Sequence, residues 1–237
     1  MAAEKKEEDK AAADCKRALL IIDMQYDFIP PDGSLQVANG ETLVEKINDI
    51  RKKYEDKFSI VCLSMDWHPP NHCSFHSNNI ERDPTAELFK PCKLENGSSQ
   101  VMWPNHCIQG SNGAKIHKDL VRKQTDKIVL KGMDPSVDSY SAFMDNDKKT
   151  KTALNGLLKE AEITEIFCVG LAYDYCVGNT AIDGANLGYK AYIIDDCSAH
   201  VAEESKKEIC EKGFKHDDGE TDKVNRISIA DLEKLLK

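Results

Sequence analysis

The 237-residue chain predicts an α/β fold: a single three-layer domain with a mostly parallel central sheet flanked by helices. Three observations carry that expectation. Short runs are apolar on both faces, as strands buried on both sides of a sheet must be. Amphipathic stretches alternate with these runs, the pattern of helices covering a parallel sheet. No internal repeat and no hinge-like linker divides the chain, so residues 17–237 read as one domain.

Residues 1–16 stand apart. The first fourteen are almost entirely Ala, Lys, Glu and Asp, too polar to bury a core, and they read as a disordered tail. They lack the apolar core of a signal peptide.

The elements follow in order. Residues 17–23 are a continuous apolar strand. Residues 41–54 are a helix, with Leu43, Val44, Ile47 and Ile50 on one face. Residues 58–65 and 127–130 are the second and third strands, and 148–160 the second helix. Residues 165–170 are strand, 174–187 helix, 189–195 strand, and 202–212 helix. A last helix covers 229–236. Between the second and third strands, residues 69–115 are rich in Pro, Asn, Gly, Ser, Cys and His. A connection that long is either functional or disordered, and this one carries reactive side chains.

Bulk properties narrow the partners. A net charge of -9 disfavours a nucleic-acid backbone, and no apolar run approaches the roughly 20 residues that span a bilayer. The nine cysteines are odd in number and scattered, several within strand-like runs. That is a reduced pattern, which implies an intracellular, cytoplasmic setting with the nucleus left open.

In an open parallel sheet, ligands bind beyond the carboxyl ends of the strands. Asp23, Asp66, Lys131 and the turn holding Cys176 each follow a predicted strand and converge on one rim. Cys176 lies just after Asp174, a good N-cap residue, so the helix dipole is expected to lower its thiol pKa. The turn's free N–H groups could face an oxyanion beside the sulfur. The competing reading is a buried structural cysteine.

Asp66 and His68 leave the second strand, and His106 lies in the long loop. One carboxylate and two imidazoles suit zinc, iron or manganese. His72 and His76 are candidates for a further ligand or for supporting partners. A structural zinc on Cys73, Cys92 and Cys107 is the weaker alternative, because no C-x₂₋₄-C pair occurs. Asp23 at its strand end could accept a thiol proton, and Lys131 could hold both as anions. Taken singly, Asp23 could instead cap the following turn and Lys131 could be a solvated charge.

Five words occur in one order: Asp23-Met24-Gln25-Tyr26-Asp27-Phe28, Asp66-Trp67-His68-Pro69, Trp103-Pro104-Asn105-His106-Cys107, Lys131-Gly132, and Gly170-Leu171-Ala172-Tyr173-Asp174-Tyr175-Cys176-Val177. Together they span about two-thirds of the chain, and on them it resembles the nicotinamidase family of the isochorismatase-like cysteine hydrolases. The resemblance implies Asp23, Lys131 and Cys176 as a catalytic triad, and Asp66, His68 and His106 as ligands of one divalent metal, zinc first. His72 is the nearest match to the fourth ligand some relatives use. It implies a cis peptide between Leu171 and Ala172, an oxyanion hole from the Ala172 and Cys176 amides, and a substrate ring between Phe28 and Trp103 with Tyr140 as a further wall.

The implied reaction is hydrolysis of nicotinamide to nicotinic acid and ammonia through a cysteine thioester, within NAD salvage, with pyrazinamide-like amides also accepted. Homo-oligomerisation is left open, and the segment 78–100 could shape access or subunit contacts. Two alternatives remain: a related cysteine hydrolase of another small amide, and a non-catalytic binding protein of the same fold.

Overall fold

The computed structural model describes residues 15–216 and 218–237. The tail expected over 1–16 therefore lies outside the described residues except for its last two. Of these, Lys16 accepts a hydrogen bond at its carbonyl from the Thr164 N–H (2.9 Å).

Six strands form the main sheet: β1 (Arg17–Ile22), β2 (Ile60–Asp66), β5 (Lys127–Lys131), β6 (Glu165–Leu171), β7 (Lys190–Ala199) and β8 (Val224–Ile227). Their spatial order is β5-β2-β1-β6-β7-β8, and every neighbouring pair is parallel. Two further strands, β3 (Pro91–Lys93) and β4 (Ser99–Val101), make a separate antiparallel hairpin.

β1 shows why the sheet is buried on both faces. Its side chains alternate, so Leu19 and Ile21 enter one core with Leu43, Val44, Ile47 and Ile50 of helix α1 (Gly40–Tyr54). Ala18, Leu20 and Ile22 enter the other core, against Leu154 and Leu158 of α2 (Leu154–Glu160) and Ala181 of α3 (Gly178–Asn186). Helix α4 (Glu203–Glu208) and α5 (Ile229–Leu235) complete the layers. α5 opens on a capping box, Ser228 Oγ accepting from the Asp231 N–H.

The elements depart from expectation in several places. The helix foreseen over 148–160 starts only at Leu154, because Lys148 sits at φ +62 and Met144 bridges to Lys151. The strand at 189–195 continues to Ala199. The helix at 202–212 is regular only to Glu208 and then widens into a π-type turn, Ile209–Gly213. β8 and the β3–β4 hairpin were not foreseen: each strand is three or four residues long and mixes polar or charged with apolar side chains.

Among the described residues, no helix is long and apolar enough to cross a membrane.

Candidate active site

Four adjacent strands, β5-β2-β1-β6, end side by side, and each delivers one reactive group. Lys131 is the last residue of β5 and Asp66 the last of β2. Asp23 directly follows β1, held at φ +48. Cys176 follows β6 through the cis Leu171–Ala172 peptide and a π-type turn, Tyr173–Val177. Close packing of β1 on β6 is part of this arrangement. Gly170 sits at φ +114, where a Cβ would lie 2.1 Å from the Ile22 carbonyl oxygen.

The Lys131 ammonium is the hub. It is buried and meets Asp23 Oδ2 at 3.0 Å, Asp66 Oδ1, the Ser139 carbonyl at 2.8 Å and Cys176 Sγ at 3.3 Å. Asp23 Oδ1 accepts from Ser64 Oγ at 2.6 Å. Asp23 Oδ2 is buried with no directed hydrogen bond, and one ligand atom each from Asp23, Asp66 and Cys176 lies within 4.8 Å of the others. Asp23 and Cys176 thus flank one ammonium, which sets the carboxylate beside the thiol.

Two carboxylates share one ammonium, and their acidities separate. Burial pushes Asp23 up, and the pull of Lys131 only partly offsets it. Asp66 is pushed up by burial too, but Lys131, His68 and His106 overcome this and hold it well below the usual carboxylate range. Lys131 itself is raised, its burial outweighed by Asp23, Asp66 and Cys176.

Cys176 corrects an expectation. Burial pushes its thiol well up, and Lys131 lowers it only in part. Asp174 does not cap the turn that holds the cysteine; Ala172 occupies the cap position. The Asp174 carboxylate instead accepts from the Val201 N–H (2.9 Å), the Ala202 N–H (3.0 Å) and Ser205 Oγ, at the start of α4. Burial thus favours the thiol form of Cys176 over a dipole-stabilised thiolate.

Asp66 also faces the second group. His68 Nε2 is 3.6 Å and His106 Nε2 3.8 Å from Asp66 Oδ2. Each imidazole is oriented through its other nitrogen, His68 Nδ1 on the Gly132 carbonyl (2.7 Å) and His106 Nδ1 on the Pro104 carbonyl (2.8 Å). Those contacts direct both Nε2 lone pairs towards the carboxylate, as metal-binding histidines require. Burial and the neighbouring His68 lower His106 to about 4, so it is a neutral donor at neutral pH. Gly132 makes room: it has φ +63, and a Cβ there would lie 2.4 Å from His68 Cε1.

His72 is placed apart from that group. It stacks on His68 with ring centroids 4.0 Å apart, and its Nδ1 pairs with Ser74 Oγ at 2.7 Å. With His68 and Asp138 it makes a separate cluster, its Nε2 4.0 Å from Asp138 Oδ1. His76 bonds the Ala86 carbonyl through Nε2 (2.9 Å). Cys73, Cys92 and Cys107 form no ligand group among the described residues.

A small, partly open cavity of about 30 Å³ joins the two groups. Cys176, Ala172, Asp66 and His106 line its floor, with Phe28, Trp103 and Tyr140 among its walls. Sequence reasoning missed five of the lining residues: Tyr175, Leu35, Val37, Asp138 and Val201. Tyr175 stands edge-on to Trp103 (centroids 4.9 Å, 88°), and its place beside Cys176 was the available signal. Leu35 and Val37 are spaced i, i+2 in a turn-rich loop, too short a pattern to read.

The isochorismatase domain family matches residues 17–216. The nicotinamidase of Escherichia coli (strain K12) is 42% identical over 180 residues, 76% of this chain and 81% of the relative. The solved structure of a nicotinamidase/pyrazinamidase from Acinetobacter baumanii superposes with a TM-score of 0.80 at 37% identity, covering 92% of this chain and 98% of that one. A pyrazinamidase of Pyrococcus horikoshii, solved in complex with zinc, superposes with a TM-score of 0.70 at 25% identity, covering 90% of this chain and 99% of that one.

Proposed function

Since the chain belongs to the isochorismatase family, we propose that it is a nicotinamidase, an amidohydrolase that cleaves the carboxamide C–N bond of nicotinamide to give nicotinic acid and ammonia. The observation that carries the reading is Cys176 Sγ 3.3 Å from Lys131 Nζ, with Asp23 on the same ammonium, at the floor of an aromatic-walled cavity.

The chemistry follows from the residues. Asp23 removes the Cys176 proton, and Lys131 steadies the anions that result. The sulfur adds to the carboxamide carbon, and the amides of Ala172 and Cys176 receive the oxyanion. Asp23 returns its proton to the departing ammonia, leaving a thioester. Water, deprotonated by Asp23, then attacks the acyl carbon; the C–S bond breaks, nicotinic acid leaves and the thiol is restored. Phe28, Trp103 and Tyr140 hold the ring so that the carboxamide faces the sulfur.

The donor set fits a metal: Asp66, His68 and His106 offer one carboxylate and two imidazoles, each oriented through its Nδ1. A divalent ion held there, zinc by preference and iron or manganese as alternatives, would supply a Lewis-acid anchor for the pyridine nitrogen. His72 acts behind His68, stacked on its ring, rather than as a fourth ligand. Pyrazinamide has a ring nitrogen in the corresponding position and is accepted too. The product feeds NAD salvage in an intracellular, cytoplasmic setting.

A three-substrate comparison tests the reading. Nicotinamide and pyrazinamide should turn over, and benzamide, which lacks the ring nitrogen, should be poorer by at least about tenfold in kcat/KM. Equal rates on all three would point to a general small-amide hydrolase instead.

A further inference from the structure

The β3–β4 hairpin, which the chemistry above does not use, lies against the walls of the cavity at two points. Gln100, on β4, is 5% exposed. Its side-chain amide donates to Asp138 Oδ2 at 2.8 Å, to the Tyr140 hydroxyl at 3.3 Å and to the Val101 carbonyl at 2.9 Å. Asp138 and Tyr140 both line the cavity.

The second point is Phe89. The hairpin pairing of Pro91 with Val101 is continued by Phe89 N–H on the Met102 carbonyl (2.7 Å) and Met102 N–H on the Lys90 carbonyl (3.0 Å). This places Phe89 next to Trp103, edge-on, with ring centroids 5.8 Å apart at 78°. Phe89 takes φ +64, a conformation that large side chains rarely adopt, yet the residue remains 51% exposed. Burial of the ring does not account for a phenylalanine there. Contact with Trp103 does.

We infer that the hairpin sets the substrate-binding wall, with Gln100 and Phe89 as positioning residues that fix Tyr140 and Trp103 around the ring of the amide. Neither residue lines the cavity or touches the reacting atoms, so their effect is on how the ring is held. The inference rests on the reading that Trp103 and Tyr140 contact that ring.

The test measures KM and kcat for nicotinamide with the metal-loaded full chain. Gln100→Met keeps the volume and removes the donor. Phe89→Gly removes the ring at a backbone conformation that glycine adopts freely, so it folds even if the buried variant does not. Each is expected to raise KM about tenfold with kcat within about threefold. Phe89→Tyr should keep the wild-type KM, and Trp103→Ala, the control, should raise KM further than either.

A lower melting temperature with unchanged KM in Phe89→Gly would overturn the inference and leave the hairpin a purely structural element. If Trp103→Ala left KM unchanged, the reading of the wall itself would fall, and this inference with it. A rise in KM for Trp103→Ala but not for the hairpin variants would sink the inference alone.

Discussion

The two halves of the site hang on one carboxylate and are built in opposite ways. Asp66 turns Oδ1 to Lys131 and Oδ2 to His68 and His106. On the Lys131 side every contact is internal: the ammonium meets two carboxylates, a carbonyl and the thiol. On the imidazole side the polar contacts are spent on the far nitrogens, and both Nε2 atoms stand beyond hydrogen-bond distance of Asp66. On the proposed reading, the difference separates a group suited to moving a proton from one suited to receiving a ligand. Asp66 couples them, since one pair of oxygens serves both.

The largest effect should come from the proton-moving half. Cys176→Ala removes the nucleophile, so turnover should fall more than about 1,000-fold, while the melting temperature barely moves. Lys131→Met should break the comparison from the same side, and through the fold as well. It leaves Asp23 and Asp66 buried without their shared cation, and a denaturant titration should show a loss of about 3–5 kcal/mol. If Lys131→Met were as stable as wild type, the hub would not be organising the site.

The ligand-receiving half should respond to different handling. Chelation should lower activity, and zinc should restore it. His106→Ala should bind metal at least about tenfold more weakly by direct titration, with stability changed far less than in Lys131→Met. Retained metal in His106→Ala would remove that residue from the ligand set.

The smallest effect is one of pH. Asp23 must be a carboxylate to take the thiol proton, and burial raises its pKa. Activity should therefore fall as pH drops through that raised value, with the acid limb of kcat/KM above the ordinary carboxylate range of about 4. The Ser64 hydrogen bond favours the charged form of Asp23. Ser64→Ala should thus move the limb to still higher pH. An unmoved limb would assign the acid side to another group.

Most of the frame was legible because it rests on local pattern. Strand β1 is apolar on both faces, so its place inside a covered parallel sheet could be read from residues 17–23 alone. Asp23, Asp66, Lys131 and Cys176 were legible for a related reason: each follows such a run, and parallel strands all end on the same rim. What stayed hidden depends on contacts between distant segments. Asp174 looked like a cap for its own helix, yet its partners are Val201, Ala202 and Ser205. The thiol acidity of Cys176 was misjudged because burial, which no local motif reveals, outweighs the neighbouring charge. The wall residues Leu35, Val37 and Val201 reach the cavity only through the way loops close over the rim.

Ammonia release from nicotinamide by the purified, metal-loaded chain, run beside Cys176→Ala, tests the central claim most directly. The account predicts steady turnover by the wild type and none above background in the variant, with both equally folded. Turnover that survives in Cys176→Ala would contradict the cysteine mechanism. A folded, metal-loaded wild type that releases no ammonia would contradict the assignment of the reaction itself.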